Sequence, residues 1–289
     1  MIIAKKNILL EAPFIVAEIS GNHNGSFAIL KKTINAAIKC GVDAIKLQTY
    51  RPEDLTLNIK RKDFLVRGSA AKWNRNYLFD IYKKGQTPIR WYKKIFHICK
   101  KKKILCFTSP FSKQTVQELE NLNCPAYKVA SLEITNYPLL ETISKTKKPV
   151  ILSTGGATLK EIRNALKIFN KNKNIALLKC TVKYPAKPEI SNLKTIESLK
   201  KKFKNITIGF SDHTIGSAAS ILAVSLGAKI IEKHFILDKR IKSVDNFFSA
   251  DPNQMKNLVK ECKSVKKYLG KEFFGPTKPE LSSIIHRRS

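Results

Sequence analysis

The sequence predicts an α/β protein of the (β/α)8, or TIM barrel, class, and three observations predict it. Short β-rich runs recur eight times along 289 residues, each followed by room for a helix. The runs are apolar nearly throughout instead of alternating, as strands of a parallel sheet buried on both faces must be. Eight such units in about 270 residues fit a closed barrel, for which ~250 is typical. The runner-up, an open doubly wound sheet, lacks its G-x-G-x-x-G after the first run.

The expected strands are 14–18 (FIVAE), 44–48 (AIKLQ), 104–109 (ILCFTS), 126–130 (AYKVA), 149–153 (PVILS), 175–180 (IALLKC), 206–210 (ITIGF) and 229–235 (KIIEKHF). Between them the apolar period changes to that of a helix. After the first strand Phe27, Leu30, Ile34, Ala37 and Ile38 share one face. After the fifth, Thr158 and Glu161 form a capping box ahead of Leu159, Ile162, Leu166 and Phe169. After the last, Asp251 caps and Pro252 opens a helix whose inner stripe is Met255, Leu258, Val259, Cys262 and Val265. One connection breaks the rhythm. Residues 50–86 hold the segment DFLVRGSAAKWNRNYLFDIY, in which Trp73, Tyr77, Phe79 and Tyr82 supply apolar area. A βα connection of that length lies on the catalytic face of a barrel and is expected to cover a substrate.

Composition narrows the class. A hydrophobic fraction of 43% suits a chain with a real core. No apolar run approaches the ~20 residues of a membrane span. Lysines and a glutamate break the N-terminal stretch MIIAKKNILLEAPF, so a signal peptide is not expected and a cytoplasmic protein is. Six cysteines without any C-x-x-C pairing are expected to be buried, reduced thiols. The net charge of +32 would suit nucleic-acid binding if it were clustered, but the lysines are spread along the whole chain. Such a field draws in small anions. No nucleic acid and no membrane partner is expected.

A barrel brings its strand ends to one rim. Those ends supply Glu18 with Asn22 and His23, Lys46 with Gln48, Thr108 with Ser109, and Lys128 with Ser131 and Glu133. The second half adds Ser153 with Thr154, Lys179 with Thr181 and Tyr184, Ser211 with Asp212 and His213, and Glu232 with His234. A buried Lys or Glu is costly unless paired, so Glu18, Lys46 and Lys128 are expected to face a polar cavity. Lys128, Ser131, Ser153 and Ser211 suit phosphate or carboxylate oxygens, and the STGG turn at 153–156 adds backbone donors. His213 and His234, ending consecutive strands, suit a divalent metal with open positions for water and substrate. Glu232 is a candidate supporting partner for that metal.

The stretches FIVAEISGNHNG, DAIKLQTY, YKVASLEIT, VILSTGGATLKEI, LLKCTVKYPAKPE, GFSDHTIG and IEKHFILD, in that order, resemble the sialic acid synthase family from Phe14 to Arg288. Within it LFDIYKKGQTPIRWY and DNFFSADP look most like the pseudaminic acid synthases, with the N-acetylneuraminate and legionaminate synthases as near alternatives. The resemblance implies condensation of phosphoenolpyruvate with the open aldehyde of an N-acylated amino sugar, aided by Mn²⁺ or Mg²⁺. It implies Thr108, Lys128, Ser131, Ser153 and Ser211 around phosphoenolpyruvate, and Lys46, Gln48, Glu133, Tyr184 and Asp245 around the sugar. It implies His213 and His234 as catalytic metal ligands, Glu18 as a catalytic carboxylate, and a homodimer. The cover and Phe248 lean toward a 6-deoxy diacetamido sugar, because aromatic surface suits a methyl better than a hydroxymethyl. This chain departs from the resemblance at Val182, at Gly156 and at Ser243–Val244. The expected fold is the barrel without the family's small C-terminal antifreeze-like (SAF) domain, which in the family's swapped dimer lends an arginine. The expected division is a catalytic barrel over 1–270 and a tail over 271–289. Two other readings are a truncated, inactive copy acting as a basic binding protein and a metal-dependent aldolase of another family.

Overall fold

The computed structural model describes residues 1–3, 6–7, 12–67, 73–170, 172 and 174–288. Eight parallel strands close into a barrel: β1 (Phe14–Glu18), β2 (Ala44–Thr49), β3 (Leu105–Pro110), β4 (Tyr127–Val129), β5 (Val150–Ser153), β6 (Ile175–Cys180), β7 (Thr207–Asp212) and β8 (Ile230–His234). Each pairs with the next, and β8 pairs back to β1. All eight expected runs are strands, and β7 reaches two residues further, to Asp212.

The outer helices are α1 (Phe27–Lys39), α2 (Tyr92–Lys101), α3 (Lys113–Asn121), α4 (Tyr137–Lys145), α5 (Leu159–Ile168), α6 (Thr195–Lys202), α7 (Ala218–Ser225) and α8 (Pro252–Leu269). Their starts follow the expected caps. In α5 the Glu161 N–H donates to Thr158 Oγ1 while Thr158 N–H donates back to Glu161; Asp251 and Gln254 do the same for α8. Each such cap is worth ~1 kcal/mol. The whole predicted stripe of α8 is buried. In α5 the buried residues are Ile162 and Ala165, with Phe169 buried just past its end and Leu159 and Leu166 only half-buried.

Registered neighbours in a parallel sheet share a face, so the pairing sorts every strand residue. Starting from Glu18 opposite Lys46, the inner face carries Gln48, Ser109, Lys128, Ser153, Cys180, Ser211, Glu232 and His234, and His234 returns opposite Glu18. Below them Phe107, Ile151, Ala176, Leu178 and Ile230 fill the interior with apolar bulk. A hairpin that the sequence reading missed, Ile2–Ile3 against Lys6–Asn7, lies at the opposite end of the barrel. Ile2 N–H donates to Asn174 just before β6, and Ile3 is buried in the core.

The long connection after β2 folds down over the rim. It contains helices at Pro52–Leu55 and Leu78–Gly85, and Leu65 bridges Tyr77 across a narrow ladder. The part of the expected cover at 68–72 lies outside the described residues. Contact is backbone-close where the cover meets the loop after β1. A Cβ added at Gly21 would stand 2.8 Å from Gly85 Cα and 2.5 Å from Val244 Cγ2, so only glycine allows this seat. No helix among the described residues is long and apolar enough to cross a membrane. All six cysteines are buried and unbonded to one another.

Candidate active site

Four buried charges form the floor of the barrel mouth. Lys46 Nζ lies 2.5 Å from Glu18 Oε2 and 3.7 Å from Glu232 Oε1, and it donates to Ser109 Oγ at 3.3 Å. Burial works against the Lys46 charge, but Glu18 and Glu232 outweigh it and raise its pKa. Ser20 closes on the other oxygen of Glu18 from a left-handed backbone conformation, φ +45°, that a serine adopts only under tertiary constraint. Lys128, two strands along on β4, donates to Ser153 Oγ at 2.6 Å and to the Val129 carbonyl at 3.0 Å. Its pKa is lowered, first by burial and then by Lys46, with Glu232 only partly offsetting them. Glu232 accepts from Ser211 at 3.0 Å. Burial would raise its pKa, yet Lys128 and Lys46 hold it below the ordinary value. Removing one member of such a group strands a buried charge, typically at ~3–5 kcal/mol.

Ser131 stands beside this floor, accepting from Gly155 N–H at 3.1 Å. Ser109, Ser131, Ser153 and Ser211 thus line the lysine side of the mouth. Thr108 does not join them. It is on the outer face, where its hydroxyl donates to the Leu47 carbonyl at 2.9 Å and meets Thr49 at 2.7 Å. Parity gives Ser109 the inward place instead. Lys179 and Asp212 also point outward, by the same alternation. Asn22 is consumed in bonding Phe235, Ser243 and Ser249. His23 is buried against Thr87 and Trp91 away from the mouth, and burial lowers its pKa to about 4. Glu232 joins the lysine floor; the carboxylate near His234 is Asp245, at 3.9 Å.

The two predicted histidines come together, their ring centroids 5.4 Å apart. His213 donates its Nδ1 proton to the Thr181 carbonyl at 2.8 Å, which leaves Nε2 with a free lone pair. His234 is held neutral: burial and the charges of His213, Lys46, Lys233 and Lys128 push its pKa well below the ordinary value. Its Nδ1 is buried without a hydrogen-bond partner. Burial works against a charge on His213, but Cys180, the Thr181 carbonyl and Glu232 outweigh it and raise its pKa. With that proton displaced, the two imidazoles offer nitrogens that fit one divalent cation. Among the described residues no third His, Cys, Asp or Glu completes a cluster around them.

Above the histidines opens a cavity of about 270 Å³. Gln48, Tyr184, His234 and Asp245 give it a polar edge, while Tyr50, Val66, Trp73, Leu78, Ile81 and Tyr82 come largely from the cover. Tyr184 lies over His213 with centroids 4.2 Å apart, and Trp73 donates Nε1–H to the Val244 carbonyl at 2.8 Å. Phe248 supports His234 from behind, at 4.7 Å between centroids, and does not line the cavity. Glu133 sits half-buried nearby, accepting from Asn136; burial raises its pKa. The sequence reading also missed Tyr50 and the inward thiol of Cys180. An apolar strand in which both faces are buried carries no signal of which residue points in.

This fold and this mouth define a (β/α)8-barrel enzyme with a floor of buried lysines, carboxylates and serines. The chain belongs to the NeuB family, which residues 33–273 match. It is 45% identical to the pseudaminic acid synthase of Campylobacter jejuni subsp. jejuni serotype O:2, over 89% of this chain and 75% of that one. The N,N'-diacetyllegionaminic acid synthase of the same organism is 36% identical over 97% of this chain and 84% of that one. Among solved structures, N-acetylneuraminic acid (sialic acid) synthetase from Leptospira borgpetersenii serovar Hardjo-bovis, in complex with citrate, superposes with a TM-score of 0.82. It is 32% identical, and the match covers 96% of this chain and 92% of that one.

Proposed function

We propose that the protein is a pseudaminic acid synthase, joining phosphoenolpyruvate to a 6-deoxy diacetamido sugar and releasing phosphate. The observation that carries this reading is the junction of a lysine–serine floor, a pair of metal-competent histidines and one largely apolar cavity. Greater identity to the pseudaminic than to the legionaminic synthase of one organism supports the choice of sugar. Legionaminate synthesis is the second reading.

Lys128, with Ser109, Ser131, Ser153 and Ser211, would hold the phosphate and carboxylate of phosphoenolpyruvate. Gln48, Tyr184 and Asp245 would orient the open-chain sugar, with Lys46 and Glu133 nearby. His213 and His234 would hold the divalent cation, Mn²⁺ or Mg²⁺, whose chemistry when bound is polarisation of the aldehyde oxygen. The new bond forms between C3 of phosphoenolpyruvate and the aldehyde carbon. Water supplies the hydroxyl at C2, and phosphate departs. Glu18, fixed by Lys46 and Ser20, is placed to steer that water or take its proton. The cover excludes bulk water from the reacting carbons. The proposal includes a cytoplasmic homodimer, for which Tyr268, Phe273, Phe274 and Ile285 offer exposed apolar surface.

The test is phosphate release with Mn²⁺ present. Release should require both phosphoenolpyruvate and the diacetamido sugar, and be absent with either alone. No release with any N-acylated sugar, unchanged by His234→Ala, would return the chain to the reading of an inactive basic binding protein. A metal-dependent aldolase would need no phosphoenolpyruvate.

A further inference from the structure

Each histidine of the proposed metal pair follows a charged residue that points the other way. Asp212 precedes His213 on β7, and Lys233 precedes His234 on β8. The two charged residues are direct neighbours across the strands, on the outer face of the barrel. Their ion pair is 2.9 Å long, with side-chain exposures of 0% for Asp212 and 2% for Lys233.

The pair is the centre of a closed set of bonds. Asp212 Oδ1 accepts from both the backbone and the hydroxyl of Thr214 at 2.8 Å, and Oδ2 accepts from Ser220 at 2.6 Å. Lys233 donates to Asp212 and, at 2.5 Å, to the Thr214 carbonyl. His213 therefore sits between two residues, Asp212 and Thr214, that Lys233 ties to the end of β8. A buried ion pair is often no more stabilising than an apolar pair of the same size, so stability alone gives little reason for it here. What an apolar pair could not do is fix the turn after β7 against β8 with directional bonds.

We propose that Asp212 and Lys233 are positioning residues that set the separation of His213 and His234 and thereby the affinity for the divalent cation. The inference rests on the metal reading above. Outer-shell contacts that orient metal-binding imidazoles typically change affinity 10–100-fold when lost.

The experiment is a Mn²⁺ titration, followed by the electron paramagnetic resonance signal of the free ion, alongside thermal unfolding of the same samples. The double variant Asp212→Asn/Lys233→Met removes both charges together and leaves none stranded. It is expected to keep a cooperative unfolding transition and to lose Mn²⁺ affinity about tenfold or more. A folded double variant with unaltered affinity would overturn the proposal. Should that variant not fold, Thr214→Val removes one hydrogen bond and no charge. It should weaken Mn²⁺ about threefold, in keeping with loss of one bond, and unchanged affinity there overturns the proposal equally. The His213→Ala and His234→Ala chains separate the two claims. If they bind Mn²⁺ as the unaltered chain does, or if that chain binds none, the metal reading itself falls. If they lose it while the double variant does not, only the brace falls.

Discussion

The floor of the mouth and its cover solve opposite problems with opposite chemistry. The floor is made of strand ends and concentrates charge: Glu18, Lys46, Lys128 and Glu232 are at most 5% exposed, with Lys46 paired to both glutamates and Lys128 held by Ser153 and the Val129 carbonyl. The cover is made of one long connection and concentrates apolar surface around Tyr50, Trp73, Leu78 and Tyr82. Rigid, registered strands can hold buried charges at fixed distances, which electrostatic preorganisation requires. A loop cannot do so as well, but it can vary in shape. On the proposed function, chemistry would therefore belong to the floor and choice of sugar to the cover.

Substitutions that separate these roles should differ in kind as well as in size. The greatest loss is expected from the histidines. His213→Ala or His234→Ala should lower kcat by ~10³-fold or more, as should a chelator, whose effect Mn²⁺ should reverse. Next comes Lys128→Met, expected to raise KM for phosphoenolpyruvate about 100-fold and to leave KM for the sugar nearly unchanged. The lowered pKa of Lys128 gives this contact a pH dependence. An amine whose pKa is depressed sheds its proton as pH rises, so KM for phosphoenolpyruvate should climb on the alkaline side. Lys128→Arg, always charged, should flatten that climb.

In the cover the signature reverses. Tyr82→Ala, or Gly21→Ala with its clash against Gly85, should raise KM for the sugar about tenfold, the order expected for losing part of one aromatic contact. KM for phosphoenolpyruvate should stay put. Equal effects of the cover and floor variants on both substrates would erase the distinction.

The smallest effect on turnover at neutral pH is expected at His23, which touches neither region's ligands. Burial lowers its pKa from 6.5 to about 4. The unfolded chain therefore binds the proton more readily between those values. Stability from the neutral ring is full above the upper value and is lost as pH falls toward the lower one. The loss is up to about 3 kcal/mol. His23→Gln should flatten the fall of the urea midpoint over that range.

Much of this was legible in the sequence. Eight apolar runs gave the strands because a parallel barrel buries both faces of each, and strand ends must share a rim. The same double burial hid which residues point inward. Thr108 and Ser109 are adjacent in an apolar run, and only the pairing of β3 with β2 assigns the inward hydroxyl to Ser109. Asp212 looked like a rim charge for that reason, yet it and its neighbour Lys233 face the helices. The cover was visible from its aromatic content, but not the glycine contact that seats it. Gly21 and Gly85 are far apart in sequence and carry no side chain to announce the contact. Phe248 looked like a substrate contact and proved to be the backing of His234.

The central division, chemistry below and selection above, is tested most directly by the ratio of kcat/KM for the 6-deoxy diacetamido sugar to that for N-acetylmannosamine. The unaltered chain should prefer the former by about 100-fold or more, the scale that a shaped pocket with matched polar groups can reach. Tyr82→Ala should shrink the ratio while leaving KM for phosphoenolpyruvate in place. Equal or better use of N-acetylmannosamine by the unaltered chain would contradict the account.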